Sequence, residues 1–176
     1  MAGAFRTVRK NTLVIAEEIA EENYGYSPAE GTRTVAQLLT HIACVTGIPE
    51  QIHKVQHVSD LATFDFFGVM QAIAAEEGKP RMKAEIVALL KDSGESFASW
   101  LEGLSDDFLA EVVTYPPHMM PRTKTRFEML LGAKEHEMHH RGQLMLIQRL
   151  LGAVPPLTRA MQANIAAMQA AAQAKG

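Results

Sequence analysis

His136 and His140 lie four residues apart in the stretch 134-KEHEMHHRGQLMLIQRLLG-152. On a helix that spacing stacks two imidazoles on one face, separated by ~6 Å of rise. Both can reach one ion, because Zn–N bonds are only ~2.0–2.1 Å long. Met129, Ala133, Gln143 and Ile147 continue the same face, which otherwise reads as apolar and core-directed. Two inward imidazoles without partners for their nitrogens are costly to bury, so a shared ion is one reading of the pair and ordinary hydrogen bonding the other.

His136-Glu137-x-x-His140 also satisfies H-E-x-x-H, the zinc-protease pattern whose glutamate is a general base. Zincins take their third ligand downstream, yet residues 141–176 contain no Asp, Glu, His or Cys. A third ligand must come from upstream, which disfavours a protease. Glu137, about 100° round the helix from His136, is a candidate acid or base whose alternative is a solvated or Arg-paired side chain. His139 is a candidate proton carrier on the flank of the face, and Gln143, one turn beyond His140, a candidate supporting residue. Arg141 reads as a structural ion-pairing residue. His53, His57 and His118 have no ligand spacing and read as surface or supporting residues. Cys44 follows His41 by one turn and reads either as a neighbour of the site or as a small buried hydrophobe.

The run HEMHHRGQLMLIQRLLGAVPPL resembles the signature helix of the DinB/YfiT-like metal-binding four-helix-bundle family, with its H-x-x-H-H-R-G-Q-L pattern followed by an apolar turn and V-P. That family carries a further histidine in a Leu-Leu-x-His-Ile context, and this chain has 38-LLTHIA-43. The resemblance implies an all-α fold, a four-helix bundle with a crossover connection, and His41, His136 and His140 as ligands of a divalent ion, Zn²⁺ or Ni²⁺. It also implies a homodimer. Three neutral imidazoles leave the ion's charge uncompensated and coordination positions open, which favours a bound anion such as hydroxide or thiolate. Family members that transfer low-molecular-weight thiols point to a metal-dependent enzyme moving a thiol onto an electrophilic small molecule. The alternatives are a metal-dependent hydrolase of an amide or ester, and a non-enzymatic metal-binding stress-response protein.

The elements that must hold these residues are legible as periodicity. Phe5, Val8, Thr12, Ile15 and Ile19 repeat at three and four and predict a helix over 4–23. Thr34 with Gln37 is a capping-box pattern opening a helix over 34–58, which Gly47 and Pro49 should kink or split. Residues 60–77 predict a short helix covering one end of the bundle. A third main helix should run over 80–103, with Pro80 in its first turn, and a fourth over 125–151, with Thr125 and Glu128 as its box. Phe64, Phe66, Phe67 and the long connection 104–124, extended at VVTYPPH, are candidate pocket walls. The tail 157–176 predicts a last helix whose Met161, Ile165 and Met168 dock on the bundle or on a partner subunit.

At 176 residues the chain fits a single domain with a real core. The net charge of −3 lacks any basic cluster, which argues against a nucleic-acid partner. No stretch approaches 18 apolar residues and no signal-peptide core is present, so no membrane partner is expected. One cysteine excludes an intrachain disulfide and fits a cytoplasmic setting.

Overall fold

A computed structural model describes residues 1–174; Lys175 and Gly176, the end of the expected tail helix, lie outside the described residues. Helix α1 (Ala2–Glu18) buries Phe5, Val8, Thr12 and Ile15 along one stripe. It stops short of the expected Asn23 because the chain turns extended at Ile19 and re-forms only a single 3₁₀ turn, Glu21–Asn23. Tyr24 then folds under the helix end, its hydroxyl donating to Ala16 O at 2.7 Å.

Helix α2 (Val35–Cys44) opens on the expected box: Thr34 Oγ1 accepts from Gln37 N at 3.2 Å, and Gln37 Oε1 accepts from Thr34 N at 2.9 Å. The expected break at Gly47 and Pro49 is present. Helix α3 (Gly47–Pro49) is a single turn that runs on as a π-helix, Glu50–Val55. Proline has no N–H to give the α ladder, and a widened turn follows it.

Helix α4 (Phe66–Glu77), capped by Asp65, packs along α2 instead of simply closing the end of the bundle. Helix α5 (Lys83–Glu102) starts three residues later than Pro80, because Met82 is extended and its N–H is taken by Glu85 Oε2 at 2.7 Å.

The long connection is more ordered than its sequence suggests. Helix α6 (Asp106–Ala110) leads into a two-stranded antiparallel ribbon, β1 (Val112–Thr114) with β2 (Thr123–Thr125), paired Val112 to Thr125 and Thr114 to Thr123. Helix α7 (Arg126–Leu150) follows directly, with Thr125 and Glu128 forming its N-terminal box. Gly152, at φ 82°, supplies the left-handed residue that ends it. Helix α8 (Pro156–Gln173) packs on α1 near its own start, where Arg159 meets Glu18 at 2.6 Å.

Helices α1, α2, α5 and α7 make the four-helix bundle: α1 lies on α5 and α7, and α2 on α5 and α7. Ile15, Leu39, Ile42, Leu90 and Leu144 fill its centre, and Phe5, Phe97 and Leu130 its other end. Each such side chain contributes roughly 1.5–3 kcal/mol by leaving water. The bundle is also tied through one buried cation. Arg9 Nε meets Glu137 Oε1 at 3.0 Å, Nη1 donates to Leu90 O at 2.6 Å and to Ser93 Oγ at 3.0 Å, and Nη2 donates to Ile42 O at 3.2 Å. Gly94 makes room for it, since a Cβ there would lie 2.7 Å from Arg9 Cγ.

Met161, Ile165 and Met168 do not dock on the bundle. They are exposed, because α8 leaves the body after its first turns and buries no residue. Among the described residues no helix is long and apolar enough to cross a membrane.

Candidate metal centre

Adjacency of α2 and α7 brings His41 to the pair on α7. His136 Nε2 lies 3.2 Å from His41 Nε2 and 3.2 Å from His140 Nε2. The donor atoms of all three lie within 4.8 Å of one another. His41 and His140 are buried and His136 is half-buried.

The outer nitrogens decide what the inner ones can do. Glu77, from the end of α4, places Oε1 2.7 Å from His41 Nδ1, and Arg33 Nε holds its Oε2 at 2.6 Å. A carboxylate only accepts, so His41 carries its proton on Nδ1 and turns an unprotonated Nε2 inward. Gln143 Oε1 lies 2.7 Å from His140 Nδ1, while its amide nitrogen lies 3.2 Å from His139 Nε2. With the amide donating to His139, His140 likewise turns a lone pair inward.

Two lone pairs therefore converge on His136 Nε2, which has at most one proton to offer. One of the two 3.2 Å contacts would oppose lone pair to lone pair. A cation at the common centre removes that conflict. Metal–nitrogen bonds of ~2.0–2.1 Å at near-tetrahedral angles separate ligand nitrogens by about 3.3 Å, so the donor set fits a divalent ion.

Burial keeps the cluster neutral. It pushes His41, His136 and His140 below the ordinary imidazole value, His136 to about 4, with the neighbouring histidines adding to the effect on His136 and His140. Burial alone would raise the Glu77 carboxyl, but the bonds from Arg33 and His41 outweigh it and hold that group below its usual range. His41 is thus a neutral donor to an ionised Glu77. This is the carboxylate–histidine arrangement that fixes a metal ligand's tautomer and ring orientation.

The remaining candidates fall in different places. Glu137 is in the core, 1% exposed, with both carboxylate oxygens accepting from Arg9 Nε at 3.0 and 3.1 Å. The H-E-x-x-H pattern therefore has its glutamate in a structural ion pair, the Arg-paired alternative. His139 is exposed beside His140, their ring centroids 5.0 Å apart. Cys44 is half-buried, outside the histidine cluster, in the wall of a groove between α3 and α4. His57 and His118 are exposed. His53 is not: it is 1% exposed, and Arg126 Nη1 donates to its Nδ1 at 2.9 Å. Phe64 is buried and Phe67 points to solvent, so of these three only Phe66 lines a cavity beside the cluster.

Two cavities reach the cluster. One, about 600 Å³, touches His140 and is lined by Arg33, Gln37, Glu77 and Gln143. The other, about 340 Å³, touches His136 and is lined chiefly by Val45, Ile48, Phe66 and Met129, with Tyr115 and Lys124 from the crossover.

Sequence reasoning missed Glu77, Arg33, Arg9 and the burial of His53. Arg9 left a signal, a cation on the apolar stripe of α1, and so did Arg126, a cation in the first turn of α7 where the helix dipole disfavours it. Glu77 left none, being one of two consecutive glutamates at a helix end.

Fold and site together define a helical bundle whose three inward imidazoles can hold a divalent ion. A model of the DinB superfamily matches residues 4–144, and the chain belongs to that superfamily. The uncharacterized protein YjoA of Bacillus subtilis (strain 168) is 24% identical over 148 residues, 84% of this chain and 86% of that one. The YjoA crystal structure superposes with a TM-score of 0.63 at 23% identity, covering 87% of this chain and 92% of that one. Bacillus subtilis YfiT, described as a probable metal-dependent hydrolase with an unusual four-helix bundle topology, gives 0.65 at 15% identity over 86% of each chain. A mycothiol-dependent maleylpyruvate isomerase gives 0.59 at 14% identity, over 81% of this chain and 58% of that one. At these identities the structural likenesses speak for the fold.

Proposed function

We propose that the protein is a metal-dependent enzyme that uses His41, His136 and His140 as ligands of a divalent ion and transfers a low-molecular-weight thiol to an electrophilic small molecule. The observation carrying this reading is the convergence of three Nε2 atoms, two of them with their outer nitrogens tied to Glu77 and Gln143. A divalent cation held there supplies the charge that lowers the pKa of a thiol or of water. Arg33, Gln37 and Gln143 suit the polar, acidic body of a small thiol in the larger cavity. Val45, Ile48, Phe66 and Met129 give the smaller cavity an apolar wall that suits an apolar electrophile. The thiol proton leaves to solvent, the sulfur adds to the electrophilic carbon, and the displaced electron pair moves onto the substrate's electron-withdrawing group, which takes a proton from water. His139, whose Nε2 accepts from the Gln143 amide at 3.2 Å, holds Gln143 in place at the larger cavity.

Two cavities on one cluster favour joining two substrates. The second reading, hydrolysis of an amide or ester, draws support from the likeness to YfiT but lacks Glu137 as a free base. The third, a non-enzymatic metal-binding stress-response protein, keeps the same ligands and loses only the turnover. We further propose a homodimer, supported by the apolar side chains that α8 leaves exposed.

Metal analysis of the purified protein, followed by thiol-conjugation and ester-hydrolysis assays on the metal-loaded form, tests the reading. Conjugation that disappears with a chelator and returns with the ion is the expected result. Hydrolysis without conjugation selects the second reading, and a bound ion with neither activity selects the third.

A further inference from the structure

The smaller cavity contains a polar group that the proposed chemistry does not use. His53 lines it together with His136, although the ring is 1% exposed overall and also borders a second space beside His57, Trp100 and Phe108. Its tautomer is settled by its neighbour. Arg126 Nη1 lies 2.9 Å from His53 Nδ1, and a guanidinium only donates, so Nδ1 is the acceptor and Nε2 carries the hydrogen. Arg126 is itself fixed, its Nε donating to Glu111 Oε2 at 2.8 Å and its guanidinium lying over the Phe108 ring at 5.0 Å. No residue among those described takes the His53 Nε2 hydrogen, and Nε2 is not among the unpartnered polar atoms cut off from solvent, so it opens on the space beside the ring. Water can accept from this held donor, and a ligand that displaces the water from the largely apolar wall keeps the hydrogen bond only if it brings an acceptor of its own. The backbone tells the same story: His53 sits on the π-helical turn Glu50–Val55, a rare geometry that recurs at functional sites.

We propose that His53 is a ligand-binding residue of this cavity, donating its Nε2–H to the carbonyl oxygen of an apolar small molecule bound beside His136. Glu111 and Arg126 hold the ring, and Val45, Ile48, Phe66 and Met129 contact the apolar part of the ligand. This rests on assigning the smaller cavity to the electrophile, and it specifies that electrophile as a carbonyl compound.

Acetophenone and its oxygen-free isostere α-methylstyrene test the proposal by binding to the purified full chain, with no turnover required. Ring-nitrogen NMR should show the His53 Nε2–H resonance, identified by its loss in His53→Gln, moving on addition of acetophenone and staying still with α-methylstyrene. Acetophenone should bind about two- to tenfold more tightly, the range of one neutral hydrogen bond, and His53→Phe should erase that ratio. If His53→Phe fails to fold, the wild-type resonance and affinity ratio decide the matter alone. Equal affinities, an unmoved resonance at saturation, or no binding of either probe overturns the proposal. Failure of thiol transfer with these shifts intact overturns only the functional reading.

Discussion

Glu77 Oε1 lies 2.7 Å from His41 Nδ1, while Glu77 Oε2 is held by Arg33 at 2.6 Å, so a residue of α4 orients a histidine of α2 that faces α7. Glu77→Gln keeps the shape and removes the charge. Metal affinity should fall by about 10–100-fold, the usual cost of losing a ligand's carboxylate partner, with helical circular dichroism unchanged. A chelator-competition titration measures it, and unaltered affinity would show that Glu77 does not tune the site.

His140→Ala removes one of three imidazoles, and residues 141–176 contain no side chain that replaces it. Bound metal should drop sharply at pH 7 while the helix, which tolerates alanine well, still forms. Full occupancy in this variant would refute the ligand assignment. In the wild type, protons compete with the ion for neutral imidazoles. Because burial depresses all three, His136 to about 4, metal should be retained well below the ordinary imidazole value near 6.5 and released toward pH 4.

Glu137 is expected to matter for stability. Glu137→Ala leaves Arg9 buried without its counter-charge, a loss of roughly 3–5 kcal/mol in urea denaturation. Gly94→Ala should displace the same guanidinium, since the new Cβ would lie 2.7 Å from Arg9 Cγ. A Glu137→Ala variant of undiminished stability would return Glu137 to the list of catalytic candidates.

Stability should fall with acid before the carboxylates titrate. Burial, helped by Arg126, lowers His53 to about 4. The unfolded chain binds that proton near pH 6.5 and the folded chain does not, so stability is full above 6.5 and is lost as the pH falls from 6.5 toward 4. Between pH 6.5 and 5 the loss from His53 alone is on the order of 2 kcal/mol. Denaturation at pH 7 and pH 5 checks it, and equal values would place His53 in a wetter setting.

The tail helix gives a simple test of association. Met161, Ile165 and Met168 are 58%, 46% and 72% exposed on α8, and the proposed homodimer would cover them. Light scattering should report a homodimer, and truncation before Pro156 should yield a folded monomer. A wild-type monomer at micromolar concentration would end that expectation.

By itself the sequence determined what local rules can determine. The four long helices follow from apolar periods, from the boxes at Thr34 and Thr125 and from the glycine at 152, all written within a few residues of where they act. The His136–His140 pair follows from helical spacing, and the third histidine from a resemblance. Tertiary structure decided the rest, because it depends on residues far apart in the chain. Arg9 meets Glu137 across the bundle, Glu77 reaches His41 only because α4 lies along α2, and Arg126 meets His53 only because α7 starts beside the π turn. Glu137 and His139, next to His136 and His140 respectively, end in opposite environments. A step of about 100° per residue turns one into the core and the other to solvent. Periodicity supplies that angle, but only packing shows which side is buried and who waits there.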